Sequence, residues 1–356
     1  MSDATSADRF GGRKLRCAAV GVGRMGRHHA RVYSQLSHVD LVGVLDANVE
    51  QCEYMAEQYN TKALRSLDEL LDMDVDAVSI AVPTIYHKDT AVPLLNKGVA
   101  CLIEKPLAQD AQTASIIKAA ADKSGAVLMV GHIERFNPIM RAMQRATAGG
   151  SDIRARFIQV HRVSPMTFRS VDIGVVMDMM IHDLDVVLML MGGQEPSSIK
   201  AAGVAVLTDN EDMCQAWLEF DRPYGKCVAN LSASRLALKT DRVARIHGDT
   251  GYIKIDYAAK TGQIIRRTAN EIQLREVADQ LREGADLTDM KWDQLVNVEE
   301  LQIDSGEPIV TEIEEFLDAV RTGRRPSVDA EAGLVNVRTA ERIVEAIREV
   351  QPTRVD

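Results

Sequence analysis

The sequence is short of several things, and each shortage narrows what the chain can be. Aromatics make up only 4% of its 356 residues. Positive charge is in deficit: 42 Lys and Arg face 52 Asp and Glu, for a net charge of −10, and the pI is near 5.4. A protein that grips a nucleic-acid backbone needs a basic surface, so no nucleic acid is expected as a partner. A small anionic ligand stays open, because helix N-termini and local arginines can hold one in an acidic protein. The five cysteines (Cys17, Cys52, Cys101, Cys214 and Cys227) form no CxxC pair and no zinc spacing. Their odd count and wide spacing fit a reducing compartment, and Cys17 and Cys101 lie in apolar runs that should bury them. No run reaches the roughly 18 apolar residues needed to span a bilayer. The opening MSDATSADRFGGRK lacks an apolar signal-peptide core, so residues 1–13 are expected to be a flexible leader. A cytoplasmic protein with no membrane partner is the expectation.

What is present is 46% apolar residues on a chain long enough for two cores. From Lys14 to about Ala126, short apolar strands alternate with amphipathic helices. The strands are continuous apolar runs, such as VACLIEK and AVLMVGH, as in a parallel sheet covered on both faces. Repeated βα units of this length predict a doubly wound Rossmann α/β domain over 14–137. After Pro138 the pattern changes to alternating strands such as MCQAWLEFD and KCVANLSASR, joined by turns such as RPYG and GDTG. These predict an α+β domain over 138–330, built on an open, mostly antiparallel sheet. Residues 331–356 then form a C-terminal helix.

Gly21-Val22-Gly23-Arg24-Met25-Gly26 is a GxGxxG turn. The pattern alone is weak, but here it follows a predicted strand and opens a helix inside a βαβ unit. Gly21 allows the tight turn, Gly23 lets a pyrophosphate approach the backbone, and Gly26 lets helix and strand pack closely. The turn, with Arg24 and Met25, is the expected phosphate cradle at a helix N-terminus. Asp46 ends the second strand, twenty residues beyond Gly26. A carboxylate there accepts both ribose hydroxyls of NAD and repels a 2′-phosphate. No arginine follows it in LDANVE, so NAD is favoured over NADP.

Two further stretches carry chemistry. LIEKPLA puts Glu104, Lys105 and Pro106 straight after an apolar strand, where ligands bind in open α/β sheets. MDMMIHDLDVVL, residues 177–188, sets three acids and a histidine in an otherwise greasy helix. At 100° per residue, Asp178, His182 and Asp185 share one face. That face is either a solvated stripe behind an N-capping Asp or a catalytic surface.

GVGRMG, AVPTIYH, IEKP and DxxxHxxD, in that order, resemble the Gfo/Idh/MocA family of NAD(P)-dependent sugar oxidoreductases. The resemblance implies a Rossmann domain joined to an open-sheet domain, with the last helix packed back on the first. It implies that Lys105, Asp178 and His182 converge on the substrate, and that Pro83, Thr84, His87 and Glu104 lie on the cofactor side. The chemistry suits such a trio. Oxidising a secondary alcohol requires its hydroxyl proton to leave as the hydride departs. His182 can act as general base, Lys105 can hydrogen-bond the developing alkoxide, and Asp178 can orient the imidazole or hold a sugar hydroxyl. One departure is Met180, where many relatives have a small residue; it is expected to narrow the pocket rim.

GHIERFNP (131–138), with VVMDMMIHDLDVV, resembles most the branch that oxidises UDP-N-acetylglucosamine at the sugar C3 hydroxyl. That branch supplies a 3-keto sugar nucleotide to a pyridoxal-phosphate aminotransferase in lipid A synthesis. A UDP-sugar brings phosphates, for which Arg135, Arg162 and Arg169 are candidates, with Asp185 beside them; each arginine is equally suited to an ordinary inter-element ion pair. The alternatives are a dehydrogenase for a UDP-glucuronate-type sugar or a cyclitol such as inositol, and a non-catalytic NAD-binding sensor. No metal is expected, since His28 and His29 are adjacent on a helix and cannot face one ligand together. The family resemblance and the open sheet face imply a homodimer or homotetramer.

Overall fold

A computed structural model describes residues 8–147, 153–168, 172–268, 271–284, 286 and 295–350. The chain divides into two compact units. The first comprises the chain up to Asn137, Leu184–Glu195 and Gly306–Arg342; the second comprises Pro138–Asp183, Pro196–Ser305 and the chain from Ile343. The division therefore does not follow a single cut at Pro138.

The first unit runs β1 (Leu15–Val20), α1 (Gly26–Gln35), β2 (Val39–Leu45), α2 (Val49–Gln58), β3 (Ala63–Leu64) and α3 (Leu67–Leu71). It continues with β4 (Ala77–Ile80), α4 (His87–Asn96), β5 (Ala100–Glu104), α5 (Ala111–Ser124) and β6 (Leu128–Gly131). Its sheet is six-stranded in the order β3-β2-β1-β4-β5-β6, and all its strand pairs are parallel. The reversal of order beside β1 is the switch point at which such sheets bind ligands. β4 and β5 are buried along their whole length, as their unbroken apolar sequences require. The two-residue β3 was too short for any sequence pattern to show. Local chemistry fixes the helix ends: Ser66 caps α3 by accepting the Glu69 N–H at 3.1 Å, and Gly125 closes α5 with φ +71°. The expected flexible leader needs correcting over its described part. Asp8 pairs with Arg321 at 3.0 Å, and Arg13 forms a bidentate pair with Asp76, so charge rather than apolar surface ties residues 8–13 down.

In the second unit α6 (Pro138–Thr147) precedes β7 (Ala155–Val163), a π turn (Val176–Met180) and α7 (Ile181–Leu190). Then come β8 (Ser198–Val204), β9 (Met213–Arg222), β10 (Gly225–Ser234), β11 (Asp241–Gly248), β12 (Gly251–Asp256) and β13 (Thr261–Arg267). After α8 (Glu271–Arg282) and β14 (Val296–Glu300), the helices α9 (Pro308–Thr322) and α10 (Ala330–Val350) end the described chain. The unit division falls inside α7 and α10, and α9 belongs to the first unit. The second sheet has eight strands in the order β14-β13-β12-β11-β7-β10-β9-β8 and is antiparallel except for the central β7–β10 pair. Alternation sorts its faces: Cys214, Ala216, Leu218 and Phe220 of β9 are fully buried, whereas Trp217 between them is 38% exposed.

Candidate active site

The glycine turn is built as its spacing requires. Gly21 has φ +80°, and a Cβ there would lie 2.6 Å from the Val82 nitrogen. A Cβ on Gly26 would strike the Gly21 carbonyl oxygen, whereas at Gly23 there is nothing within 4 Å. Two glycines are thus forced by packing, while the open space at Gly23 leaves room for a phosphate to approach the backbone. Arg24 is exposed beside Gly23. α1 opens at Met25 with no side-chain cap and no acid in its first turn, leaving its N-terminal field uncancelled. Asp46 accepts the Val22 N–H at 2.7 Å and the Asn48 N–H at 2.8 Å. It therefore cinches the glycine turn to the end of β2 while keeping lone pairs for a ribose. These residues fit a dinucleotide.

At the next strand ends, Pro83 and Thr84 open a short 3₁₀ turn, Thr84–Tyr86. His87 is 1% exposed, with its ring nitrogens 3.0 Å from the Val82 carbonyl and 3.2 Å from the Leu107 carbonyl. Burial pushes its pKa down, against the opposing pull of the two carbonyls. A neutral ring has one N–H and can donate to only one of these carbonyls at a time, so His87 sits between the loop after β4 and the loop after β5 as a packed, buried imidazole.

Glu104 is likewise turned inward. His29 gives it Nε2 at 2.9 Å, and its other oxygen accepts the Lys105 N–H at 3.3 Å. Burial raises its pKa, but the hydrogen bond and charge of His29 and the charge of Lys105 outweigh burial and hold it below the usual range. Behind it run His29 Nδ1 to Ser79 Oγ at 3.0 Å and Ser79 to the Tyr33 hydroxyl at 2.7 Å. Glu312 of α9 completes the group, fully buried, with neither carboxylate oxygen hydrogen-bonded. One ligand-type atom each from His29, Glu104 and Glu312 lies within 4.8 Å of the others, the chemistry of a cation site. Both His29 nitrogens and both Glu104 oxygens are already hydrogen-bonded, however, and a proton on Glu312 satisfies the remainder more simply. Burial and the nearby Glu104 charge both hold that proton, lifting the Glu312 pKa well above the carboxylate range. Lys105 itself is half-buried and joined to Pro106 by a cis peptide.

His29 and Glu312 carry no motif in the sequence, although helical spacing marks both. His29 rides the buried face of α1 with Gly26, Ala30 and Tyr33, and Glu312 lies on the apolar stripe of Ile309, Ile313 and Phe316.

The greasy helix needs a correction. Val176–Met180 is a π turn, whose wider i→i+5 ring rotates less per residue than the assumed 100°. Environment separates the polar residues instead. Asp183 makes a bidentate pair with Arg162 at 2.7 and 2.8 Å, both side chains 4% exposed. Asp185, fully buried, does the same with Arg135 at 2.7 and 2.6 Å, and Arg135 also donates to the Ser327 carbonyl. Arg135, Arg162 and Asp185, read as substrate contacts, thus serve as inter-element ion pairs, and Arg169 lies outside the described residues. Asp178 and His182 remain half-buried. Met180, expected at a pocket rim, is instead 1% exposed and part of the core. Lys105 belongs to the first unit, and Asp178 and His182 to the second.

Comparison with known proteins identifies the family. Residues 15–132 match the oxidoreductase family's NAD-binding Rossmann fold, and residues 164–355 match its C-terminal alpha/beta domain. UDP-N-acetylglucosamine 3-dehydrogenase of Acidithiobacillus ferrooxidans is 37% identical over 320 residues, covering 90% of this chain and 93% of its own. The solved structure of that organism's GnnA superposes with a TM-score of 0.81 at 34% identity, covering 94% of this chain and 98% of its own. Inositol 2-dehydrogenase of Rhizobium meliloti is 27% identical over 248 residues, covering 67% of this chain and 74% of its own. Levoglucosan dehydrogenase with bound NADH shares the fold at TM-score 0.79 and 19% identity, over 95% of this chain and 97% of its own. The chain is an oxidoreductase with an NAD-binding Rossmann domain and belongs to the Gfo/Idh/MocA family.

Proposed function

We propose that the protein oxidises the C3 hydroxyl of UDP-N-acetylglucosamine to the 3-keto sugar nucleotide, with NAD in preference to NADP. The observation that carries this reading is the 37% identity across 90% of the chain with a UDP-N-acetylglucosamine 3-dehydrogenase. Asp46, with Ala47, Asn48, Val49 and Glu50 after it and no arginine, supports the choice of NAD. NAD, when bound, supplies the hydride acceptor. Gly21, Gly23 and Gly26 hold its pyrophosphate and Asp46 its ribose. His182 accepts the hydroxyl proton, Asp178 orients that imidazole or a sugar hydroxyl, and Lys105 hydrogen-bonds the oxygen as negative charge builds there. The product is a ketone suited to an aminotransferase.

A homo-oligomer is part of the same proposal. Phe157, Trp217, His247 and Tyr252 form a row of ring contacts across the outer sheet face, with centroids 4.6 to 6.2 Å apart. Open apolar rows of this kind mark association surfaces.

The test mixes purified protein with NAD and UDP-N-acetylglucosamine, adds a trapping aminotransferase and glutamate, and follows reduced nicotinamide. Turnover is expected, together with a loss of about 10²- to 10⁴-fold in Lys105→Ala, which still binds NAD. No reduction with this sugar, but turnover of inositol or a UDP-uronate, would discard the substrate.

A further inference from the structure

His132 leaves the sheet one residue beyond β6, and Lys105 one residue beyond β5. The two strands are parallel with Glu104 opposite Gly131, so the imidazole and the lysine emerge side by side at the ligand end of the sheet. His132 is 1% exposed, and neither ring nitrogen has a hydrogen-bond partner. Burying an unpaired polar group is costly, and a phenylalanine would fill the same space without that cost. A polar ring kept at such a place points to a partner that arrives during function.

The surroundings name the partner. The charged groups facing the ring are Asp185, Arg135, Lys105 and Glu104. Nε2 is the nitrogen nearer a carboxylate, 4.0 Å from Asp185 Oδ1, and that negative charge favours the tautomer with its proton on Nε2 and Nδ1 as an acceptor. Burial, with the positive charges of Arg135 and Lys105, keeps the ring neutral and that lone pair available. Arg135 already commits Nε and Nη2 to Asp185 and Nη1 to the Ser327 carbonyl. Lys105 carries three N–H groups on a flexible stem, so one of them can reach an acceptor beside it while others keep further partners.

We infer that His132 is a positioning residue for Lys105: with the cofactor bound, its Nδ1 accepts one N–H of the lysine ammonium and so aims another at the substrate oxygen. The inference rests on the dehydrogenase reading for the task of Lys105, but not on which sugar is oxidised.

His132→Phe removes both nitrogens and keeps the ring shape, and His132→Gln restores an acceptor. The measurement is the pH dependence of Lys105 labelling by an amine-selective reagent in NAD-loaded protein, read at the peptide by mass spectrometry. Losing a hydrogen bond to the ammonium should lower the half-labelling pH by about one unit in His132→Phe, roughly tenfold faster labelling at neutral pH. His132→Gln should label like wild type. In turnover, His132→Phe should lose at least about tenfold in kcat, with KM and thermal stability no worse than wild type. Wild-type labelling and wild-type kcat in His132→Phe would overturn the inference. A shifted labelling profile in a protein that ignores UDP-N-acetylglucosamine would uphold His132 and discard the substrate instead. If the Phe variant does not fold, His132→Leu replaces it, with the same outcomes.

Discussion

Asp178 and Asp183 lie five residues apart in one segment, yet they have opposite fates. Asp183 is sealed against Arg162 on β7, while Asp178 stays half-buried on a π turn beside the half-buried His182. Asp185 repeats the first fate with Arg135. The difference shows that a polar residue in an apolar helix has one of two jobs. It cancels a buried opposite charge, as Asp183 does, or it keeps partial access to solvent, as Asp178 does. The π turn sharpens the contrast, since such turns spend regular hydrogen bonding where function needs a side chain re-aimed.

The comparison breaks or holds under substitution. Asp183→Ala removes the bidentate partner of the buried Arg162, so chemical denaturation should show a loss of about 3–5 kcal/mol. Asp178→Asn should change stability by less than about 1 kcal/mol while lowering turnover by about 10²-fold. Equal stability losses from the two would erase the distinction.

Asp46→Ala probes a carboxylate with a structural and a ligand task together. NAD affinity should fall about tenfold or more, and discrimination against NADP should relax, as titration calorimetry with both cofactors would read. Unchanged affinity for both would confine Asp46 to holding the Val22 N–H.

The smallest effect concerns Glu312, another buried acid, but one with no cation paired to it among the described residues. Its folded pKa is raised well above the unfolded value near 4.5 by burial and by Glu104. The stability tied to its proton is therefore complete below about pH 4.5 and is lost as pH rises through the folded value. Glu312→Gln, neutral at every pH, should lose less melting temperature than wild type between pH 6 and pH 9. Parallel melting curves would mean that Glu312 already carries its charge paired.

Much of this was legible in the chain. The βα alternation, the glycine turn, Asp46 and the strand ending in Glu104 follow from short-range rules of turn geometry and apolar patterning. The parallel β7–β10 pairing was not legible, because strands distant in sequence choose neighbours by packing. Nor was the use of the arginines: sequence supplied cations and acids without saying which would meet.

Short-range patterning along the chain set the local scaffold: two sheets of different grammar, a phosphate-binding turn, and a set of residues able to move a proton. Which charges are sealed in pairs was left to long-range packing. Pairing Arg135 with Asp185 and Arg162 with Asp183, and enclosing His87 between two carbonyls, are long-range choices. A buried charge must find its partner in space, and spacing along the chain does not encode that distance.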